Sequence, residues 1–435
     1  MSIANSATIV GGRTFEDSTY AKVTWRIIPL LFLCYVVAYL DRVNVGFAKL
    51  QMVNDLKFSD TVYGLGAGMF FVGYCLFEVP ANLLLYRVGA RKVLTRIMVT
   101  WGAISALTMF VTTPTEFYVI RFLLGIAEAG FFPGMILYLT YWFPAERRGR
   151  IVSLFMTAVP VSGIVGGPLS GWIMVHFAGV NGWAGWQWLF LLEGAPTMLI
   201  GIVVWFYLDD GIASARWLSV DEKRLLKENI EADAGSKADH SFLKALRNPK
   251  VWILGLMYFG VVMGLYGISF WLPTLIKATG INNPLDVGFL SAIPYIAAVV
   301  AMLVVGASAD KRRERRWHFA IPAVLGGAGL ILSATFASST TFAIAALTLA
   351  AAGIIASLPV FWTFPPAFLS GTAAAGGIAL IGALGNLGGF VSPYTLGFIK
   401  DLTKSTDVGM YVLAGVVFMS AILALVSMPA RLVNR

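Results

Sequence analysis

The sequence predicts an all-α membrane protein of twelve transmembrane helices arranged as two six-helix pseudo-repeats. Three observations carry this expectation. Of the 435 residues, 58% are hydrophobic and only 13% charged, with a mean hydropathy of +0.78, which leaves too little polar surface for a water-soluble fold. Apolar runs long enough to cross a hydrocarbon core of about 30 Å recur twelve times. A basic loop also recurs, because Asn82 to Lys92 aligns with Gly306 to Arg316 at a constant offset of 224 residues.

The runs cover residues 26–47, 62–85, 93–113, 116–143, 150–176, 187–208, 251–272, 287–309, 318–337, 341–363, 374–399 and 409–429. The stretch before them, Met1 to Tyr20, is polar and carries Glu16 and Asp17. It lacks the short apolar core and small-residue cleavage site of a secretion signal, and is expected to stay in the cytoplasm. Asp209 to Lys250 is the one long polar connection, with Asp221 to Glu228 reading as an amphipathic helix. The chain thus divides into a first half, 1–208, a cytoplasmic linker, 209–250, and a second half, 251–435. Of 32 Lys and Arg, 25 fall on the terminus side, and five (Lys49, Lys57, Lys277, Lys400 and Lys404) fall in segments on the other. The positive-inside rule then places both termini in the cytoplasm. The net charge of +9 faces the cytoplasmic lipid leaflet and calls for no nucleic acid. Cys34 and Cys75 sit inside apolar runs and imply no disulfide framework. His176, His240 and His318 lack ligand-like spacing, so no metal is expected.

Two basic residues remain, Arg42 and Arg121, and both lie inside apolar runs. Arg121-Phe-Leu-Leu-Gly-Ile-Ala-Glu128 sets an arginine and a glutamate nearly two helical turns apart, roughly 10 Å along one face. A charge at bilayer depth costs several kcal/mol, which makes such a residue functional by default. Arg42 is roughly 24 Å from the cytoplasmic end of its run, and Arg121, near the outer end of the fourth, lies at about the same height. Arginine stays protonated and grips a carboxylate with a planar fork, so the pair predicts an anionic substrate, most simply a carboxylate. The alternative is neutralisation by their own neighbours, Asp41 and Glu128. Adjacent helical residues diverge by about 100°, so Asp41 serves Arg42 poorly. Asp41 and Glu128 are the candidate proton carriers, since a carboxylate shielded from water can load and release a proton as access alternates. Glu78 and Glu193 read as structural groups that hydrogen-bond interrupted backbone or neighbouring helices. The second half carries no charge within its runs, so charge chemistry is expected in the first.

The second basic loop, Gly306-x-x-x-Asp310-Lys311-x-x-x-Arg315-Arg316, resembles the signature of the major facilitator superfamily, which implies a gate clamping the cytoplasmic side of the outward-open state. The first copy, with Arg87 and Arg91, has Asn82 for the glycine and Tyr86 for the aspartate, implying a weaker clamp. Tyr39-Leu-Asp41-Arg42-Val-Asn44, Gly73-Tyr74, Glu78-Val-Pro80-Ala-Asn82, Tyr141 to Arg150, Trp186 to Gly194 and Gly385-Asn386-Leu-Gly-Gly are similar to the anion:cation symporter branch. That branch includes bacterial sugar-acid, tartrate and aromatic-acid transporters and, more distantly, sialin and the vesicular glutamate carriers. The resemblance covers nearly the whole chain. It implies the major facilitator fold, proton coupling by Asp41 and Glu128, and substrate contact by Arg42, Arg121, Tyr74 and Asn386. Tyr39, Trp362 and Thr363 add donors and aromatic faces that orient hydroxyls and an apolar body.

The expected function is secondary active transport: proton-coupled uptake of an organic carboxylate by alternating access across a bacterial-type inner membrane. The substrate class spans sugar acids, hydroxy-dicarboxylates and aromatic acids. No enzyme is expected, since no nucleophile, base and orienter stand together. No cofactor is called for beyond protons as the coupling ion, the partners are a small carboxylate and the bilayer, and a monomer suffices. The alternatives are a proton-driven exporter of a different solute class and a carboxylate sensor that moves nothing. Sodium in place of protons stays open.

Overall fold

The structure, a computed structural model, describes residues 14–233, 247–368 and 372–434; His240 and part of the expected linker lie outside the described residues. Within them, twelve helical spans are long and apolar enough to cross a bilayer. Spans 1 to 6 are Phe15–Asp55, Asp60–Leu85, Ala90–Phe110, Pro114–Thr140, Leu154–His176 and Gly185–Tyr207. Spans 7 to 12 are Pro249–Ala278, Pro284–Arg312, Arg316–Thr335, Thr340–Phe368, Gly377–Thr403 and Asp407–Ser427. A separate helix, Val220–Asp233, lies in the connection between the sixth and seventh, and Lys22 reaches its Glu222 at 2.9 Å.

Each expected run matches one span, and the first is the least well bounded. Thr14 accepts the Asp17 amide at 3.2 Å and starts the helix well before the apolar run, because a capped polar turn is stable in water. At its other end, Lys49 does not end the span. It lies buried inside the helix Val45–Asp55, which corrects its assignment to an outward loop.

The packing repeats at an interval of six spans. Span 2 packs on 4 as 8 packs on 10, and 3 on 6 as 9 on 12. The pairs that join the first six spans to the last six also correspond: 2 against 11 is matched by 8 against 5. These joins are close. A Cβ at Gly64 would stand 2.2 Å from the Pro393 carbonyl oxygen, and one at Gly288 would stand 2.3 Å from that of Gly167. No larger residue fits without moving a helix, and small residues are what allow such contact. Both joins lie toward the face away from the termini. On the terminus side, a Cβ at Gly306 would meet nothing within 4 Å, and the Asp310 side chain is 73% exposed. The molecule is therefore closed on one face and looser on the other.

Candidate functional site: a buried arginine pair between two helix interruptions

Two spans each consist of two helices that meet near their charged residues. Span 1 consists of Phe15–Val43 and Val45–Asp55, joined at Asn44, whose φ of −57° and ψ of −28° remain helical, with Arg42 in the turn before it. Span 4 consists of Pro114–Glu128 and Phe131–Thr140. Its break follows from Gly130, whose φ of 80° is left-handed, a conformation that costs other residues roughly 1–2 kcal/mol. Glu128 thus ends a half-helix whose carbonyls favour a cation nearby. Arg42 is that cation.

Arg42 forms an ion pair with Glu128, donates from Nη1 to the Tyr266 hydroxyl at 2.8 Å and keeps a buried, unpartnered Nε. The rings of Tyr39, Phe70 and Tyr74 stand 5.1 to 5.7 Å from its guanidinium. Arg121 is 1% exposed and lies against the same Phe70 ring at 5.4 Å. It donates from Nη2 to the Arg42 carbonyl at 3.4 Å, while Nε and Nη1 have no partner. A buried guanidinium with open donors is costly, and a carboxylate is the group that would satisfy it.

Asp41 turns away from Arg42, as the helical angle predicts. It accepts Trp101 Nε1 at 2.8 Å, Thr197 Oγ1 at 2.7 Å and Ser105 Oγ at 3.3 Å. Glu128 belongs to Arg42 and forms no ion pair with Arg121, so the neutralisation of each arginine by its own helix neighbour is not what the fold does.

The structure brings Tyr39, Arg42, Tyr74, Arg121 and Glu128 into one cluster. Asn386 stands apart from it and donates to Glu78 at 3.4 Å. Trp362 packs on Tyr258 at 4.9 Å. The Thr363 hydroxyl donates to its own helix at Val360 O, 2.7 Å away. Tyr258, Tyr266 and Phe70 escaped the sequence reading; the first two lie eight residues apart on span 7, about two turns, so they share a face.

Among the expected gate residues, Asp310 pairs with Arg315 at 2.6 Å. The Arg315 amide donates to Asn434 at 2.8 Å, and Arg316 donates to the Leu425 carbonyl. Lys311 and Arg87 are exposed. Arg91 meets Asp210 at 3.6 Å, and its amide donates to the same carboxylate at 3.1 Å. Asp210 thus supplies from the linker a carboxylate that the first loop lacks.

The closed face carries an ionic cluster that sequence reasoning missed. Lys49 Nζ lies 2.7 Å from Asp60 and 3.1 Å from the centre of the Trp271 ring. Lys400 reaches the same carboxylate at 3.1 Å, and Asp401 accepts the Thr61 amide at 2.7 Å and the Asp60 amide at 3.2 Å. Asp60 therefore ties span 1 and span 2 to span 11. Lys400 lies in span 11 because the helix runs on to Thr403, just past the uncharged apolar run 374–399.

Twelve spans, a six-span repeat, a closed face opposite a looser one and charges buried between the halves define a membrane transporter rather than an enzyme. The chain belongs to the Major Facilitator Superfamily, whose sequence profile matches residues 31–393, and it is a secondary transporter. It is 50% identical to a "Putative tartrate transporter" of Agrobacterium vitis over 94% of this chain and 95% of that protein. It is 41% identical to a "Quinolone resistance transporter" of Acinetobacter baumannii over 94% of each. In fold it is similar to a bacterial homologue of the human lysosomal transporter Spinster, with a TM-score of 0.76, 16% identity and coverage of 96% of this chain and 98% of that one.

Proposed function

We propose that this chain takes up an organic carboxylate anion together with protons, by alternating access between its first and second halves. The observation that carries the reading is Arg121, fully buried with two donors open beside an Arg42 already engaged by Glu128. A substrate carboxylate bridging Arg121 and Arg42 competes with Glu128 for Arg42. Once displaced, Glu128 is a buried carboxylate with no cation, and taking up a proton relieves that cost. Substrate and proton then occupy the site together, and neither is well held alone. Asp41, in its nest of three donors, is the second proton-coupling residue. Tyr39, Tyr74 and Tyr266 supply hydroxyls from both halves, with Trp362 and Asn386 toward the terminus side. The similarity to a relative named for tartrate supports a carboxylate substrate and is consistent with the anion:cation symporter branch.

The basic face bearing the termini is the cytoplasmic one, and the conformation described is inward-facing, with the Asp60 cluster closing the outer side. Asp310, Arg315, Arg316 and Arg91 gate the inner side. The membrane is a bacterial inner membrane.

The test is uptake by proteoliposomes of a panel of labelled sugar acids, hydroxy-dicarboxylates and aromatic acids under an imposed pH gradient. Accumulation that Arg121→Ala abolishes is expected. A protein that moves no acid, yet expels a neutral or cationic compound, would overturn the reading. The similarity to a relative named for quinolone resistance favours that second outcome, so quinolones belong in the panel.

A further inference from the structure

A second buried carboxylate cluster lies on span 6, apart from the arginine pair. Glu193 is 4% exposed. Its Oε1 accepts the Ser170 hydroxyl at 2.8 Å, and its Oε2 has no partner. One helical turn on, the Thr197 hydroxyl contacts Asp41 Oδ2 at 2.7 Å and the main-chain carbonyl of Glu193 at 3.2 Å, which sets Asp41 of span 1 against the same stretch of span 6. Among the described residues no Lys or Arg forms an ion pair with either acid. Beside Glu193 lies Asn44, where the two helices of span 1 meet, 2% exposed with both amide atoms unpartnered. Asn44 and Ser170 also line a small cavity of about 20 Å³ whose wall is mostly apolar, with Leu40, Phe47, Leu272 and Pro273. The cavity sits at the seam between spans 1 and 5 of the first half and spans 7 and 8 of the second.

We infer that Glu193, with Asn44 and Ser170, is a proton-holding site beside this cavity that loads from the face closed in this conformation. The inference rests on the proton-coupled reading above and assigns to it a residue first read as structural. Ionised Glu193 would be a buried carboxylate near a second one, Asp41, with no cation paired to either, an arrangement that burial makes costly. As the acid, it carries a proton on Oε2 that Asn44 Oδ1 can accept. That hydrogen bond gives Glu193 Oε2 and Asn44 Oδ1 a partner each, and leaves Asn44 Nδ2 open. The groups that bear on Glu193 are Asp41 and Asn44 from span 1, Ser170 from span 5 and Thr197 from its own helix. Trp101 and Ser105, from span 3, hold Asp41. When spans 5 and 8 part, the cavity opens to the outer aqueous phase and the proton exchanges there, whereas Glu128 exchanges on the terminus side.

Two measurements on the full chain test this. Infrared difference spectroscopy at neutral pH should show a protonated carboxylic acid C=O band that Glu193→Gln removes and Asn44→Ala shifts; a wild-type spectrum in which no such band depends on Glu193 overturns the inference, whatever the coupling ion. In proteoliposomes, Glu193→Gln should lose pH-driven accumulation and carry fewer protons per substrate; unchanged accumulation and stoichiometry also overturn it. If the wild type itself accumulates only with a sodium gradient, the proton-coupled reading fails, and the role of Glu193 in coupling fails with it.

Discussion

At the scale of single residues, Arg121 and Arg42 differ in kind although both are buried guanidiniums. Arg42 is engaged by Glu128 and Tyr266 with only its Nε open, whereas Arg121 has both Nε and Nη1 open and, among the described residues, no acidic partner. Arg121→Lys keeps the charge but loses the planar fork, so substrate affinity is expected to weaken by about 1–3 kcal/mol, roughly 10- to 100-fold, as read by binding to detergent-solubilised protein. Glu128→Gln should do the opposite to coupling. The amide imitates the protonated acid and frees Arg42, so the pH dependence of binding should weaken while accumulation against a gradient is lost. Binding with a pH dependence unchanged from the wild type would assign the proton elsewhere.

At the scale of elements, the site depends on the interruption of span 4. Gly130→Ala asks an L-residue to hold a φ of 80°, which costs about 1–2 kcal/mol. The expected outcome is a lower Tm in detergent together with weakened substrate binding, because the break sets where Glu128 points. A variant with unchanged Tm and binding would mean that the backbone there relaxes freely. The joins between the halves make a separate prediction. Gly167→Leu meets the Gly288 carbonyl, where a Cβ already stands 2.6 Å away, so the outer face should fail to close. Transport should fall steeply while labelling of a cysteine placed on that face rises.

At the scale of the whole molecule, the Asp60 cluster holds the two halves together on the closed face. Asp60→Asn leaves Lys49 buried over Trp271 without its counter-charge, a loss worth roughly 3–5 kcal/mol when one partner of a buried pair is removed. The conformational balance should shift toward opening on that side. Pulsed EPR between labels at Lys57→Cys and Ile281→Cys, with Cys34 and Cys75 replaced by serine, should show a longer distance than in the otherwise unsubstituted protein. An unchanged distance would show that the helix joins alone keep the face shut.

Composition and periodicity by themselves determined the membrane class, the twelve spans and the six-span repeat, because lipid forces every backbone group into long apolar helices and leaves an unmistakable pattern. The cost of burying a charge likewise marked Arg42, Arg121, Asp41 and Glu128 from the chain alone. What tertiary structure decided is which charge meets which. The spacing of nearly two turns set Arg121 and Glu128 too far apart for a simple pair, and the fold gives Glu128 to Arg42 on another helix. Lys49 and Lys400 looked like loop residues until Asp60 was seen between them, and nothing in the sequence set Asn44 of span 1 beside Glu193 of span 6. Each of these pairings crosses from one helix to another, and a side-chain partner on another helix leaves no periodic trace in the sequence of either.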